Sequence, residues 1–108
     1  MKTLLIVAAA TASLSLPQTR ETFTGTITDD MCGANGHAQM RMGPTDGECT
    51  VACVLAHGAQ YALTDGTNVY ILSDQKTPEQ FAGEKVTVVG TLDPKTMTIA
   101  VESIAAAK

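Results

Sequence analysis

The sequence is poor in the residues that nucleic-acid binding requires. It has no tryptophan, two phenylalanines and two tyrosines, and its seven lysines and arginines are outnumbered by eleven aspartates and glutamates. Proteins that bind nucleic acid draw much of their affinity from basic side chains near phosphates, and many stack bases on aromatic rings. The formal net charge of −4 and the scattered basic residues therefore predict no nucleic-acid partner.

The sequence also lacks an apolar run of the roughly 20 residues that a membrane-spanning helix needs. Its N-terminal apolar stretch, residues 4–10, follows Lys2 and precedes an A-x-A pattern that ends at Ala12. A short apolar core between a basic residue and small residues is typical of a secretory signal peptide. We therefore expect residues 1–12 to be cleaved, the protein to be periplasmic or secreted, and no membrane span.

The chain has few cysteines, and their number is odd. Outside the cytoplasm cysteines tend to pair as disulfides or to bind metal, but the three cysteines of this chain cannot all pair with one another. At least one is left as a metal ligand, an intermolecular bridge or a free thiol. All three cysteines and both histidines lie between Cys32 and His57, so the sequence predicts one site there.

Most of the chain after residue 21 has the period-2 alternation of β-strands. We read residues 13–21 as a flexible lead-in and residues 22–108 as one domain, with a Cys/His insertion at residues 29–58. Asp65-Gly66 is a typical hairpin turn, and Pro78 indicates a single helical turn. Five strands are predicted, with the last residues frayed, in the segments TFTGTITD, YALT, NVYILSD, EKVTVVGTLD and TMTIAVESI.

One helix is predicted, at about residues 46–57 and after the first strand. Thr45 followed three residues later by Glu48 is a capping box, and Gly58 suits a left-handed C-cap. Five short strands and one helix indicate a mainly β fold, a small five-stranded barrel. A flat sheet of this length would leave long unprotected edges.

The strand FTGTITD, the hairpin YALTDGTNVYIL and the segment FAGEKVTVVGTLDPKTMTIAVESI resemble bacterial exported domains of unknown function with an OB-like barrel. The segments DDMCGANGH and CTVAC resemble a cysteine-containing insertion after the first strand of some of these proteins. The resemblance implies an OB-like barrel for residues 22–104. The helix differs in position, since the main helix of an OB barrel usually lies between the third and fourth strands.

Helical periodicity places Cys49 and Cys53 on one stripe of the helix, with His57 continuing it. Val51, Val54 and Leu55 fall on a different side at 100° per residue. We expect the aliphatic side to face the barrel and the cysteine stripe to face away from it. Gly33 and Gly36 allow tight turns in the preceding loop, which can bring Cys32 and His37 toward the helix.

The donor set predicted for a metal is Cys32, His37, Cys49 and Cys53. Three thiolates and an imidazole suit tetrahedral zinc, and thiolates also suit copper(I). Further candidate ligands, less favoured than these four, are His57, Met40, Met42 and Asp30. His57 lies two turns from Cys49, too far to share an ion with it easily. Asp29 or Asp30 would accept a hydrogen bond from a ligating histidine.

Two alternatives remain open at this point. In the first, Cys32 forms a disulfide with a helical cysteine, and the stabilised barrel binds a protein or envelope partner without metal. In the second, Cys49 or Cys53 is a redox-active thiol. We find no catalytic triad, phosphate loop or paired carboxylates, so the sequence predicts a monomeric binding or structural module and not an enzyme.

Overall fold

The computed structural model describes residues 19–33 and 43–107, and within them the fold is mainly β, as predicted. The predicted signal peptide and residues 13–18 lie outside the described residues. Five strands and one α-helix are present, together with a 3₁₀ helix at Thr77–Phe81. In chain order they are β1 (Glu21–Asp29), α1 (Asp46–His57), β2 (Tyr61–Thr64), β3 (Val69–Leu72), β4 (Lys85–Asp93) and β5 (Thr98–Ala106).

The strands form a closed barrel in the order β1-β2-β3-β5-β4, with β4 pairing back to β1. Every pairing is antiparallel except β3 with β5, where Ile71 lies opposite Thr98. This is the strand order of an OB-like barrel, and closure leaves no free sheet edge. The helix lies between β1 and β2, as predicted, and only the short 3₁₀ helix lies between β3 and β4.

The barrel is filled by the inward residues of the alternating strands. In β1, Gly25 and Ile27 are buried while Thr22 and Thr24 are exposed, which confirms the predicted alternation. Large aliphatic residues from every strand meet in one core and exclude water from it. This core cluster comprises Ile27, Tyr61, Leu63, Leu72, Val86, Val88 and Ile99.

The C-terminal residues differ from the prediction of a frayed end. Strand β5 continues through Ala106, which lies opposite Val86, and the N–H of Ala107 donates to the carbonyl of Lys85 at 3.0 Å. A register shift between Val89 and Gly90 allows this longer pairing. The terminal alanines carry no alternating pattern, so their sequence did not reveal the strand.

Helix α1 begins and ends as its capping residues predict. The side-chain oxygen of Thr45 accepts the N–H of Glu48 at 3.1 Å, and Gly58 has the left-handed φ of 68°. A side-chain N-cap of this kind stabilises a helix by about 1 kcal/mol. The helix is 12 residues long, and no helix within residues 19–33 and 43–107 has the length and apolarity to cross a bilayer.

Candidate metal centre

The insertion between β1 and β2 leaves and rejoins the barrel at one point. The N–H of Asp30 donates to the carbonyl of Gln60 at 3.0 Å, and the Asp30 carboxylate accepts the N–H of Gln60 at 2.9 Å. Two hydrogen bonds thus join the residues that precede and follow the insertion. Because these two residues are bonded to each other, the chain leaves the barrel and returns to it at neighbouring points.

The three cysteines meet in this insertion. The sulfur atoms of Cys32, Cys49 and Cys53 all lie within 4.8 Å of one another. Cys49 and Cys53 are fully buried, and Cys32 is 9% exposed. With Ala59 they form a second small cluster apart from the barrel core, and Val54 packs against both clusters. The loop and the helix therefore bring three soft donors to one buried place.

Helix α1 buries its cysteine stripe, which was predicted to face away from the barrel. Cys49, Thr50 and Cys53 are its buried residues, while Leu55 is 75% exposed. The prediction is therefore wrong for the cysteine stripe, which is buried, and for Leu55, whereas Val54 packs against the barrel core as predicted. The buried thiols pack with one another between helix α1 and the turn that carries Cys32.

Asp29 fixes the position of Cys32. Its side chain is fully buried, and its Oδ1 accepts the N–H of Met31 at 3.0 Å and the N–H of Cys32 at 2.9 Å. An aspartate that accepts N–H groups two and three residues ahead closes a tight turn. Gly33 continues the turn with a φ of 56°, as predicted. The turn directs Cys32 back toward the helix.

The environment of the thiols opposes their ionisation in the absence of a cation. Burial raises the pKa of Cys32 to about 12, and the negative charge of Asp29 acts in the same direction. Burial, followed by the charge of Asp29, also raises the pKa of Cys53. Desolvation and a nearby negative charge both disfavour a thiolate. At neutral pH Cys32 and Cys53 therefore remain protonated unless a positive charge enters the cluster.

Two other predicted ligands that the structure describes, His57 and Asp30, are not among the donors that meet. His57 is exposed at the last position of α1 and does not belong to the group of three sulfurs. Asp30 is also exposed, and its carboxylate is engaged by Gln60. His37, Met40, Met42 and Gly36 lie outside the described residues. Asp29 bonds backbone N–H groups of the loop, a role that the sequence analysis did not assign to it.

The outward side of α1 lines an open groove of about 500 Å³ against the 3₁₀ helix. Val51 and Leu55 form part of its wall, and Glu79 lies on the opposite side. Two of the three aliphatic residues predicted to face the barrel, Val51 and Leu55, thus lie beside this groove. The groove and the thiol cluster use different sides of the same helix.

Comparison with known proteins gives a family for the barrel. The model of a family described as "Protein of unknown function (DUF5818)" matches residues 53–107, which is half of the 108-residue chain. The chain belongs to this family. A search of curated proteins found no match, and a search of solved structures found none.

The family match covers the barrel more fully than the thiol cluster. It includes strands β2, β3, β4 and β5, and its first residue is Cys53. Cys32 and Cys49 precede the matched segment. The family therefore accounts for most of the fold, whereas the three-sulfur site is read from the geometry of this chain.

Proposed function

We propose that this protein is an exported binding or structural module that holds one soft transition-metal ion, zinc or copper(I). The thiolates of Cys32, Cys49 and Cys53 are three of the ligands, and His37 is the fourth. The observation that carries the proposal is the convergence of three buried sulfur atoms within 4.8 Å of one another.

The spacing of the sulfur atoms supports this assignment. A zinc–sulfur bond of about 2.3 Å in tetrahedral geometry separates two thiolates by about 3.8 Å. The upper limit of 4.8 Å between these sulfur atoms is close to that separation, so their spacing is compatible with ligation of one ion. The capped helix and the Asp29 turn hold the backbone on both sides of the site.

Chain length supports His37 as the fourth ligand. Gly33 is adjacent to Cys32, and His37 follows it by four residues. Four extended residues reach up to about 14 Å, which is ample to return an imidazole to the sulfur triangle. Neutral imidazole completes the Cys₃His set found in structural zinc sites.

The raised thiol pKa values argue against redox chemistry at this site. A reactive cysteine needs an accessible thiolate of lowered pKa, but the pKa of Cys32 and of Cys53 is raised and Cys49 is fully buried. A bound cation supplies the positive charge that stabilises the thiolates, as metal ions do when they deprotonate coordinating thiols. We therefore infer that the site binds an ion and does not exchange electrons with a partner.

A cobalt titration tests the ligand set. The reduced, metal-free chain is titrated with Co²⁺ under nitrogen and then with Zn²⁺. We expect a thiolate-to-cobalt charge-transfer band that saturates at one equivalent, tetrahedral d–d bands, and displacement by Zn²⁺. Four ligands share the binding free energy of a structural zinc ion. We therefore expect each Cys→Ser change to weaken metal affinity by roughly 100-fold.

Two histidine variants provide the matched comparison. His37→Ala is expected to weaken cobalt binding and to change the d–d bands, while His57→Ala leaves both as in the unchanged chain. Circular dichroism confirms that each variant keeps its fold. The proposal is wrong if no charge-transfer band forms, or if Cys32→Ser and Cys49→Ser bind cobalt as tightly as the unchanged chain.

A further inference from the structure

Asp29 is placed to act on the metal as well as on the loop. It is a fully buried residue at the end of β1, and its Oδ1 accepts the N–H groups of Met31 and Cys32. The N–H of Cys32 lies 2.9 Å from that oxygen, and the sulfur of Cys32 lies within 4.8 Å of the sulfurs of Cys49 and Cys53. One buried carboxylate therefore contacts the loop that carries Cys32 and lies beside the thiol cluster.

The charge that a metal adds to the site depends on its oxidation state. When three thiols lose their protons to a divalent ion, the local charge changes by −1 in total. The same three thiols binding a monovalent ion change it by −2. Each added negative charge is repelled by the Asp29 carboxylate, and this repulsion is weakly screened in a buried site. The carboxylate therefore disfavours the monovalent ion more than the divalent one.

We propose that Asp29 sets the metal preference of this site, and that its buried charge shifts the preference from monovalent copper toward a divalent ion such as Zn²⁺. The inference rests on the proposed metal-binding function. In this role Asp29 is a positioning residue and not a ligand. Its Oδ1 holds Cys32 beside the helix. Its negative charge destabilises the site with a monovalent ion more than the site with a divalent ion, because the former is more negative.

Two substitutions separate the positioning effect from the charge effect. Asp29→Asn retains Oδ1 as an acceptor for the two N–H groups but removes the charge. Asp29→Ala removes both. The neighbouring Asp30→Asn is the matched control, because Asp30 is exposed and its carboxylate bonds the N–H of Gln60 at 2.9 Å, away from the sulfur group.

The measurement is the ratio of the dissociation constants for Zn²⁺ and Cu⁺, obtained by competition with chromophoric chelators under nitrogen. Thiolates bind copper(I) tightly in any protein, so the variants are compared by this ratio and not by absolute affinity. We expect Asp29→Asn to shift the ratio roughly tenfold toward Cu⁺ and Asp30→Asn to leave it unchanged. Asp29→Ala should in addition weaken both ions, by about 10- to 100-fold, as loss of outer-shell support does.

Three results would overturn the inference. Asp29→Asn could leave the ratio unchanged, it could weaken both ions by one common factor, or Asp30→Asn could shift the ratio equally. In each case metal binding itself would stand. If the unchanged chain bound neither Zn²⁺ nor Cu⁺, the proposed function would fail, and this inference with it.

Discussion

At the residue scale, aspartate side chains fix several turns of this protein by accepting backbone N–H groups. Asp29 accepts the N–H groups of Met31 and Cys32. Asp74 accepts those of Lys76 and Thr77 at 2.9 and 3.0 Å, at the entrance to the 3₁₀ helix. Such bonds satisfy N–H groups that the strands and helices leave without a partner. The same type of turn therefore positions a ligand of the proposed site at Asp29, whereas at Asp74 it stabilises the fold alone.

Asp74 gives a prediction about pH. Hydrogen bonds from Thr77, through its side chain and its N–H, and from the N–H of Lys76 lower the pKa of the Asp74 carboxyl below its ordinary value of 3.8. The unfolded state then binds protons more readily, so the stabilisation is complete above pH 3.8 and is lost as the pH falls through the folded-state pKa. We expect Asp74→Asn to reduce the free energy of unfolding at pH 7 by about 1 kcal/mol or less.

Urea denaturation of both proteins between pH 7 and about pH 3 checks this expectation. The difference between the unchanged chain and Asp74→Asn should shrink as the pH falls below 3.8, because the carboxyl of the unfolded chain then takes up a proton that the folded state binds more weakly. A difference that stays constant across this range would show that the charge of Asp74 does not stabilise the fold.

At the scale of elements, the rotation of helix α1 about its axis decides where the thiols lie. Gly47 in its first turn lies against the backbone that precedes β4, where a Cβ on Gly47 would come within 2.5 Å of the Ala82 carbonyl oxygen. A Cβ on Gly83 would come within 2.7 Å of the Gly47 nitrogen. These two glycines thus allow the first turn of α1 to contact the backbone before β4 closely. In this orientation of the helix, the cysteines are buried.

A matched pair of substitutions tests this rotation. Val54 is half-buried and packs against the barrel core and the thiol cluster, whereas Leu55 is 75% exposed. We expect Val54→Ala to reduce the free energy of unfolding by about 1 kcal/mol or more through lost packing. Leu55→Ala should change it by less than about 0.5 kcal/mol, as surface substitutions do.

The free energies of unfolding of the two variants are compared by chemical denaturation. The comparison is valid when the unfolding free energies of both variants depend on denaturant concentration with the same slope. If the helix were rotated so that Leu55 faced the barrel instead, Leu55→Ala would be the more damaging change, since it removes more apolar volume than Val54→Ala. A stability loss larger for Leu55→Ala than for Val54→Ala would contradict the orientation of the helix.

Features that depend on residues close together in the sequence could be predicted from it. Features that depend on contacts between distant residues could not. Alternation in residues 22–29 identified β1, and Thr45 and Gly58 identified both ends of α1. The inward side of α1 depends on Gly47 meeting residues 82 and 83, which no local period encodes. Likewise, Asp29 is recognisable as a turn former only when the chain is known to leave the sheet immediately after it.

At the scale of the whole molecule, the barrel and the thiol cluster are two packed units that share helix α1. The barrel closes through the parallel pair of β3 and β5 and belongs mostly to the family-matched segment. The thiol cluster is a small satellite with four buried members, which join the loop after β1 to the helix. A bound ion would cross-link the loop after β1 to helix α1, and it would stabilise the folded chain by mass action.

Native mass spectrometry of the protein, expressed with periplasmic export and purified without reductant or chelator, tests the metal-binding claim most directly. The account predicts one metal ion per chain, with a corresponding loss of protons from the thiols, and no metal in Cys32→Ser. A metal-free chain lighter by two hydrogens, with one thiol open to alkylation after unfolding, would contradict it. That result would mean that two of the three clustered cysteines form a disulfide.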